Sequence, residues 1–157
     1  MHIRVICLGR TDQSFIEEGL ELYKKRLKHY GRFEWVELDN KKLMKQQDKE
    51  VVKQDEWKLI ERHIGDQGWQ LWLCDEAGKE YTSVSFAHKL DQTFNTGLKG
   101  LSICIGGPFG FPDVAKQKAD LLLSLSQMTM THQMVRLVLA EQVYRAMKIN
   151  SNEGYHY

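Results

Sequence analysis

The run Ser102-Ile-Cys-Ile-Gly-Gly-Pro-Phe-Gly110 drives an apolar segment straight into three glycines and a proline, and a helix-like segment follows. Glycine admits positive φ and lets a ligand approach without a Cβ in the way, while Pro108 stiffens the exit. A turn of this kind at the carboxyl end of a buried strand is where open α/β sheets place their ligands. Sharp strand-to-helix turns need glycine too, so the run gains weight from a second one. In Ser124-Leu-Ser-Gln-Met-Thr-Met-Thr-His-Gln-Met-Val-Arg136, an apolar strand again breaks into a polar loop and then a helix.

The rest of the chain alternates in the same way. Strands are predicted at His2–Gly9, Arg32–Leu38, Trp69–Cys74, Leu101–Ile105 and Leu121–Leu125. Between them, helical periodicity covers 14–30, 48–64, Ser83–Phe94, Pro112–Ala119 and His132–Ile149. The lysine- and glutamine-rich stretch 39–47 reads as a mobile connection, and Asp75–Lys79 as a turn. Strands alternating with helices predict an α/β fold, a mostly parallel sheet with helices on both faces.

The 157 residues fit a single domain, 1–157, with a core that needs no staples. Hydrophobic residues at 42% and charged residues at 27% describe a soluble globular protein, and a net charge of +1 argues against nonspecific nucleic-acid binding. With no signal-like leader and no long apolar run, a cytoplasmic protein without membrane contact is expected. Cys7, Cys74 and Cys104 are odd in number and widely spaced, each inside an apolar run, so neither disulfides nor a zinc site is expected.

The last helix carries an anomaly. Val135, Leu139, Ala140, Val143, Ala146 and Met147 share one arc of its wheel, and Arg136 falls within that arc. A guanidinium there must find a carboxylate, carbonyls or an anionic ligand, or snorkel out. The opposite face is also partly apolar (Met134, Leu137, Val138, Tyr144), as though the helix packed on its own sheet and on a second subunit. Arg145 is placed to meet RNA backbone, with Glu141 one turn earlier as its competing partner.

Several chemistries lack their signatures. There is no G-x-G-x-x-G after a strand, no P-loop, no H-E-x-x-H and no G-x-S-x-G elbow. What remains is three strand ends with loops, 74–79, 106–110 and 125–130, two of them uncharged. They suit a neutral, adenine-like ligand held by backbone groups, or they are merely turns.

On these residues the chain resembles the bacterial large-subunit rRNA pseudouridine N3-methyltransferases of the SPOUT class. The resemblance rests on Ile105-Gly-Gly-Pro-x-Gly110, Leu-Ser-x-Ser-x-Met-Thr at 123–129, His132-Gln-Met-Val-Arg136, Leu139-Ala-Glu-Gln-Val-Tyr-Arg-Ala146 and Gly154-Tyr-His, and it spans the whole length. It implies a C-terminal trefoil knot, a homodimer, and S-adenosylmethionine held by Cys74, Gly106, Leu125, Ser126, Gln127, Met128, Thr129 and Met130. Methylation of N3 of a pseudouridine in 23S rRNA, on the ribosome or its large subunit, is the implied reaction. Arg136 then becomes a candidate to stabilise the developing anion or grip a phosphate, so that Arg136→Ala is expected to keep the fold and lose turnover. His132 is a candidate proton acceptor, against the plainer reading of a helix-entry histidine bonded to backbone. Tyr155 and His156 of the tail, with Arg145, are candidates for RNA contact. The chain departs from the family at Cys74, usually leucine, and at Thr131, usually proline. The alternative is a noncatalytic ribosome- or RNA-binding factor on the same fold; a small-molecule nucleotide enzyme would need a phosphate cradle that the sequence lacks.

Overall fold

The computed structural model describes residues 1–153, so Tyr155 and His156 lie outside the described residues. Strands β1 (His2–Leu8), β2 (Arg32–Leu38), β3 (Trp69–Glu80), β4 (Gly100–Ile105) and β5 (Leu121–Ser124) form one sheet in the order β2-β1-β4-β3-β5. Every pairing is parallel. All six residues of β4 are buried, as befits a central strand covered on both faces.

Helices α1 (Ser14–Leu27), α2 (Lys49–Glu61), α3 (Ser83–Asn95), α4 (Asp113–Lys118) and α5 (His132–Asn150) cover the sheet. Alternation along the strands sends Ile3, Val5, Leu101, Ile103 and Trp72 against Phe86 and Leu90 of α3 and Leu139 and Val143 of α5. It sends Ile6, Leu73 and Cys104 to the other face, against Trp57 and Ile60 of α2 and Ala115 of α4. Ile16 and Leu20 of α1 close the first layer against Ala140 of α5.

Local chemistry explains the helix ends. Asp48 caps α2 by accepting from the backbone N–H of Glu50 and Val51, and Thr82 caps α3 through Ser85. The first helix stops at Leu27 rather than running to residue 30, because the chain must turn back into β2. Gly31 makes that turn at φ +153°, where a Cβ would lie 2.8 Å from the Met1 carbonyl oxygen. The 39–47 connection holds one 3-10 turn, Leu43–Lys45.

The stretch expected to be a simple turn, 75–79, lies instead inside β3, which shifts register between Cys74 and Lys79. Leu123 of β5 pairs with both of those residues. Two positions five apart cannot face one residue along a straight edge, so the intervening segment curls around β5. Gly78 makes the curl possible, since a Cβ there would come within 2.5 Å of the Leu122 carbonyl oxygen.

Candidate active site

Strand register decides whether the three glycine-containing and polar loops meet. Glu37, Cys7, Ile105, Cys74 and Leu123 are consecutive partners across all five strands. The irregular part of β3 after Cys74, the glycine turn after Ile105 and the loop after Ser124 therefore lie side by side at one end of the sheet. Gln127 donates from Nε2 to Glu80 Oε2 at 3.1 Å, tying the third loop to the end of β3. Within that loop, Ser124 Oγ donates to the Ser126 carbonyl oxygen, and Ser126 Oγ accepts from the Met128 N–H at 2.9 Å. Leu125, Ser126 and Met130 are half-buried, Gln127 and Thr129 are exposed, and Met128 projects at 79% exposure.

The glycine turn rests directly on buried side chains. A Cβ on Gly106 would meet the Phe111 ring at 3.1 Å, and one on Gly107 would meet Glu56 Oε2 at 2.5 Å. Gly110 has φ +74°, with nothing near its Cβ position. Pro108 and Phe109 are exposed on the turn, and the glycines flanking them leave peptide groups able to meet a ligand. Burial pushes the Cys74 thiol up to about 12, and raises Cys7 and Cys104 as well. These thiols stay protonated and serve as packing groups, not nucleophiles. Among the described residues no cluster of three or more possible metal ligands occurs.

Arg136 is fully buried. Its Nη2 donates to the carbonyl oxygens of Leu8 at 2.6 Å and Gly9 at 3.1 Å. Nη1 donates to Thr11 Oγ1 at 2.9 Å and lies 3.5 Å from Glu37 Oε1. The arginine on the apolar arc thus meets its charge and hydrogen-bond needs at the end of β1, and Nε alone has no partner. Gln133 works beside it, donating to the Arg10 carbonyl oxygen at 3.0 Å. Together they fasten the first turns of α5 to the β1–α1 turn. The expectation that Arg136→Ala keeps its fold changes accordingly, because the truncation would strand several buried acceptors.

Thr131 stands at φ −62° and ψ 147°, the backbone that proline would impose, and its hydroxyl caps α5 by accepting from the Met134 N–H. A cap replaces a ring, and the loop path into α5 is held in either case. His132, the first residue of α5, is exposed, and its ring makes no hydrogen bond among the described residues. The backbone-bonded alternative therefore has no counterpart here. Arg145 donates from Nη2 to Glu141 Oε1 at 2.6 Å, the intrahelical pairing that its spacing allows.

Sequence reasoning passed over Glu56. Its side chain is 2% exposed, Oε1 accepts from Asn40 Nδ2 at 2.7 Å, and Oε2 has no partner. Burial raises its carboxyl above the ordinary range, and the Asn40 hydrogen bond works the other way. A signal was present. Glu56 falls one turn after Val52 and one turn before Ile60, on the buried stripe of α2, just as Arg136 falls on that of α5.

Comparison with known proteins finds full-length relatives. Chains named "Ribosomal RNA large subunit methyltransferase H" match over nearly their whole length. The one from Christiangramia forsetii is 41% identical over 157 residues, 100% of this chain and 99% of the relative. The one from Parabacteroides distasonis is 40% identical over the same shares, and the one from Exiguobacterium is 36% identical over 99% of each chain. A remote likeness in structure, 12% identical with a TM-score of 0.46, is to the SpoU methyltransferase AviRb from Streptomyces viridochromogenes, solved with AdoMet; it covers 97% of this chain and 61% of that one. The family model described as "Predicted SPOUT methyltransferase" matches residues 1–156, and the chain belongs to that family of S-adenosylmethionine-dependent methyltransferases.

Proposed function

We propose that this protein transfers a methyl group from S-adenosylmethionine to N3 of a pseudouridine in 23S rRNA, acting on the ribosome or its large subunit. The carrying observation is the single row Ile105–Cys74–Leu123, which delivers the glycine turn and the 125–130 loop to one edge of the sheet. Full-length relatives near 40% identity with the rRNA methyltransferase name support the choice of RNA. The protein would work in the cytoplasm as a homodimer built from a single domain, 1–157. No helix among the described residues is long and apolar enough to cross a membrane. The trefoil knot belongs to the family fold, and the wrap of 75–79 around β5 agrees with it.

The residues fit the cofactor. Cys74, Gly106, Leu125, Ser126, Gln127, Met128, Thr129 and Met130 offer uncharged walls and backbone groups, and the glycines let the turn sit close on Phe111 and Glu56. When bound, S-adenosylmethionine supplies an electrophilic methyl group on a sulfonium. In accepting that group, N3 of the base would give up its imide proton to the protein. Alignment of acceptor and methyl contributes on the order of 7–11 kcal/mol in favourable cases. His132, exposed at the entry of α5, is assigned the imide proton. Arg136 is assigned the positioning of that entry through the β1–α1 turn, a reading its buried carbonyl contacts support over direct contact with RNA. Arg145, Tyr155 and His156 are assigned to the RNA.

A noncatalytic factor would bind ribosomes without the methyl donor. Transfer of labelled methyl from S-adenosylmethionine to intact ribosomes, with free rRNA in parallel, separates the two. Label mapped to one pseudouridine is expected, and greater on ribosomes than on naked rRNA. Ribosome binding without cofactor binding or label would hand the case to the noncatalytic factor.

A further inference from the structure

The stretch between β2 and α2 belongs to none of the loops assigned to the cofactor, yet it is tied to the glycine turn at both ends. At its start, Asn40 is buried and its Nδ2 donates to Oε1 of Glu56, the side chain that backs Gly107. At its far end, Lys49 Nζ stands 5.4 Å from the centroid of the Phe109 ring, and Phe109 is exposed on the turn. Between these points the backbone is held by its own hydrogen bonds. The Asn40 carbonyl oxygen accepts from the N–H groups of Leu43 at 2.9 Å and Met44 at 3.1 Å, where the 3-10 turn Leu43–Lys45 begins.

Charge is concentrated on this stretch. Residues 41–49 hold Lys41, Lys42, Lys45 and Lys49 against one carboxylate, Asp48, in a chain whose net charge is only +1. The neighbouring acids are already committed. Asp48 Oδ1 accepts from the backbone N–H of Glu50 and Val51, Glu50 pairs with Lys53, and Asp55 pairs with Lys58 and accepts from Gln46. Lys41, Lys42, Lys45 and Lys49 are exposed and make no ion pair among the described residues. The α1 side of β2 is the reverse: a hollow of about 310 Å³ there is lined by Glu17, Glu21 and Glu37 as well as Lys24. A polyanion approaching β2 is repelled on the α1 side and attracted on the α2 side.

We propose that Lys41, Lys42, Lys45 and Lys49 form a docking surface for the sugar–phosphate backbone of the RNA substrate, on the α2 side of the glycine turn. Contacts to phosphate set register and orientation without reading sequence. Lysine suits that task, as a flexible point charge that needs no fixed approach angle. Phe109 holds the last of the four at the turn through its ring face. The strand gripped here is therefore the one flanking the nucleotide presented to the methyl donor. None of the four lysines lies on α5, whose outer face is expected to meet a second subunit. The surface gives a nearly neutral protein a localised grip on a polyanion.

This inference rests on the RNA methyltransferase reading, and its test separates the two. One variant carries Lys41→Gln, Lys42→Gln and Lys45→Gln together. A second carries Lys25→Gln, Lys28→Gln and Lys99→Gln, the same loss of charge at exposed sites near the end of α1 and before β4. The readouts are methyl-transfer kinetics on ribosomes, co-sedimentation with ribosomes across a salt series, and cofactor affinity by calorimetry. The first variant is expected to raise KM for ribosomes about fivefold or more, with kcat and cofactor affinity within about twofold. Its slope of log affinity against log salt should be shallower by about 2, and the second variant should match the unaltered protein. A photoreactive residue in place of Lys45 should attach to rRNA. Unchanged KM and salt slope in the first variant, equal losses in both variants, or attachment to ribosomal protein alone would each overturn the proposal while leaving the methyltransferase reading in place. Ribosome binding that the first variant alone weakens, from a protein that transfers no methyl group, would uphold the surface and overturn the reaction.

Discussion

Arg136 and Glu56 are the two charged side chains buried among the described residues, and they meet opposite fates. Both stand at the carboxyl edge of the sheet, Arg136 on the α5 side and Glu56 on the α2 side. Arg136 is surrounded by acceptors: two carbonyl oxygens, a hydroxyl and a carboxylate. Glu56 has one donor, Asn40, and keeps an oxygen without a partner against the glycine turn. A buried charge costs several kcal/mol unless paired. Arg136 offsets that cost locally and so reads as a clamp. The carboxyl of Glu56 is pushed toward its neutral form, and it supports the turn by contact more than by charge. One residue holds the α5 entry to β1, the other underlies the glycine turn proposed to face the cofactor.

The strongest test of this contrast is Arg136→Ala. Removing one partner of a buried charged cluster costs about 3–5 kcal/mol, and the alanine should show it in urea unfolding. Arg136→Lys, which can still reach a carbonyl, should lose less. Unaltered stability in the alanine variant would mean that the guanidinium is not the clamp described.

Next in size comes Gly107→Ala. Its Cβ would lie 2.5 Å from Glu56 Oε2 and 2.7 Å from Oε1, so the turn or α2 must move. Overpacking of this kind costs about 1–3 kcal/mol, and calorimetry should find cofactor affinity lowered at least tenfold. Adding Glu56→Ala should restore part of that affinity. A Gly107→Ala protein that binds the cofactor normally would separate the turn from the site.

Thr131→Ala removes the α5 cap and should cost about 1 kcal/mol in thermal or urea unfolding. Thr131→Pro, at a φ of −62°, should recover much of the loss. A proline variant less stable than the alanine would show that the cap, not the backbone angle, sets the loop path.

The smallest effect is a pH dependence. Because the folded-state pKa of Glu56 is raised, its contribution is greatest at low pH, where the carboxyl is protonated in both states. That contribution falls as pH rises from the unfolded value, near 4.5, through the folded one. Glu56→Gln should flatten this part of the stability profile measured between pH 4 and 8. A profile that keeps its slope would assign the dependence to other groups.

Much of the fold was legible because buried parallel strands announce themselves. The runs at 2–9, 69–74 and 101–105 are apolar almost throughout, and glycine or polar stretches bound them. Strand order was not legible, since the pairing of β1 with β4 joins segments about a hundred residues apart and leaves no local trace. The curl of 75–79 around β5 read as a plain turn, because Asp75-Glu-Ala-Gly-Lys79 has turn chemistry whether or not a strand passes beside it. Arg136 stood out on its helical wheel, yet its partners at Leu8, Gly9 and Thr11 lie more than 120 positions away. Glu56 carried the same wheel signal and was overlooked because glutamate is common on the polar faces of helices. The candidate cofactor residues came from motif likeness, and the register of three strands supplies the physical reason that they can act together.

The account turns on whether the three loops at the carboxyl edge hold the methyl donor, and backbone hydrogen exchange with and without S-adenosylmethionine measures that directly. Added cofactor should slow exchange at 74–79, 106–110 and 125–131 and leave the amino ends of β1 and β2 unchanged. Protection confined to those amino ends, or no protection anywhere at saturating cofactor, would contradict it.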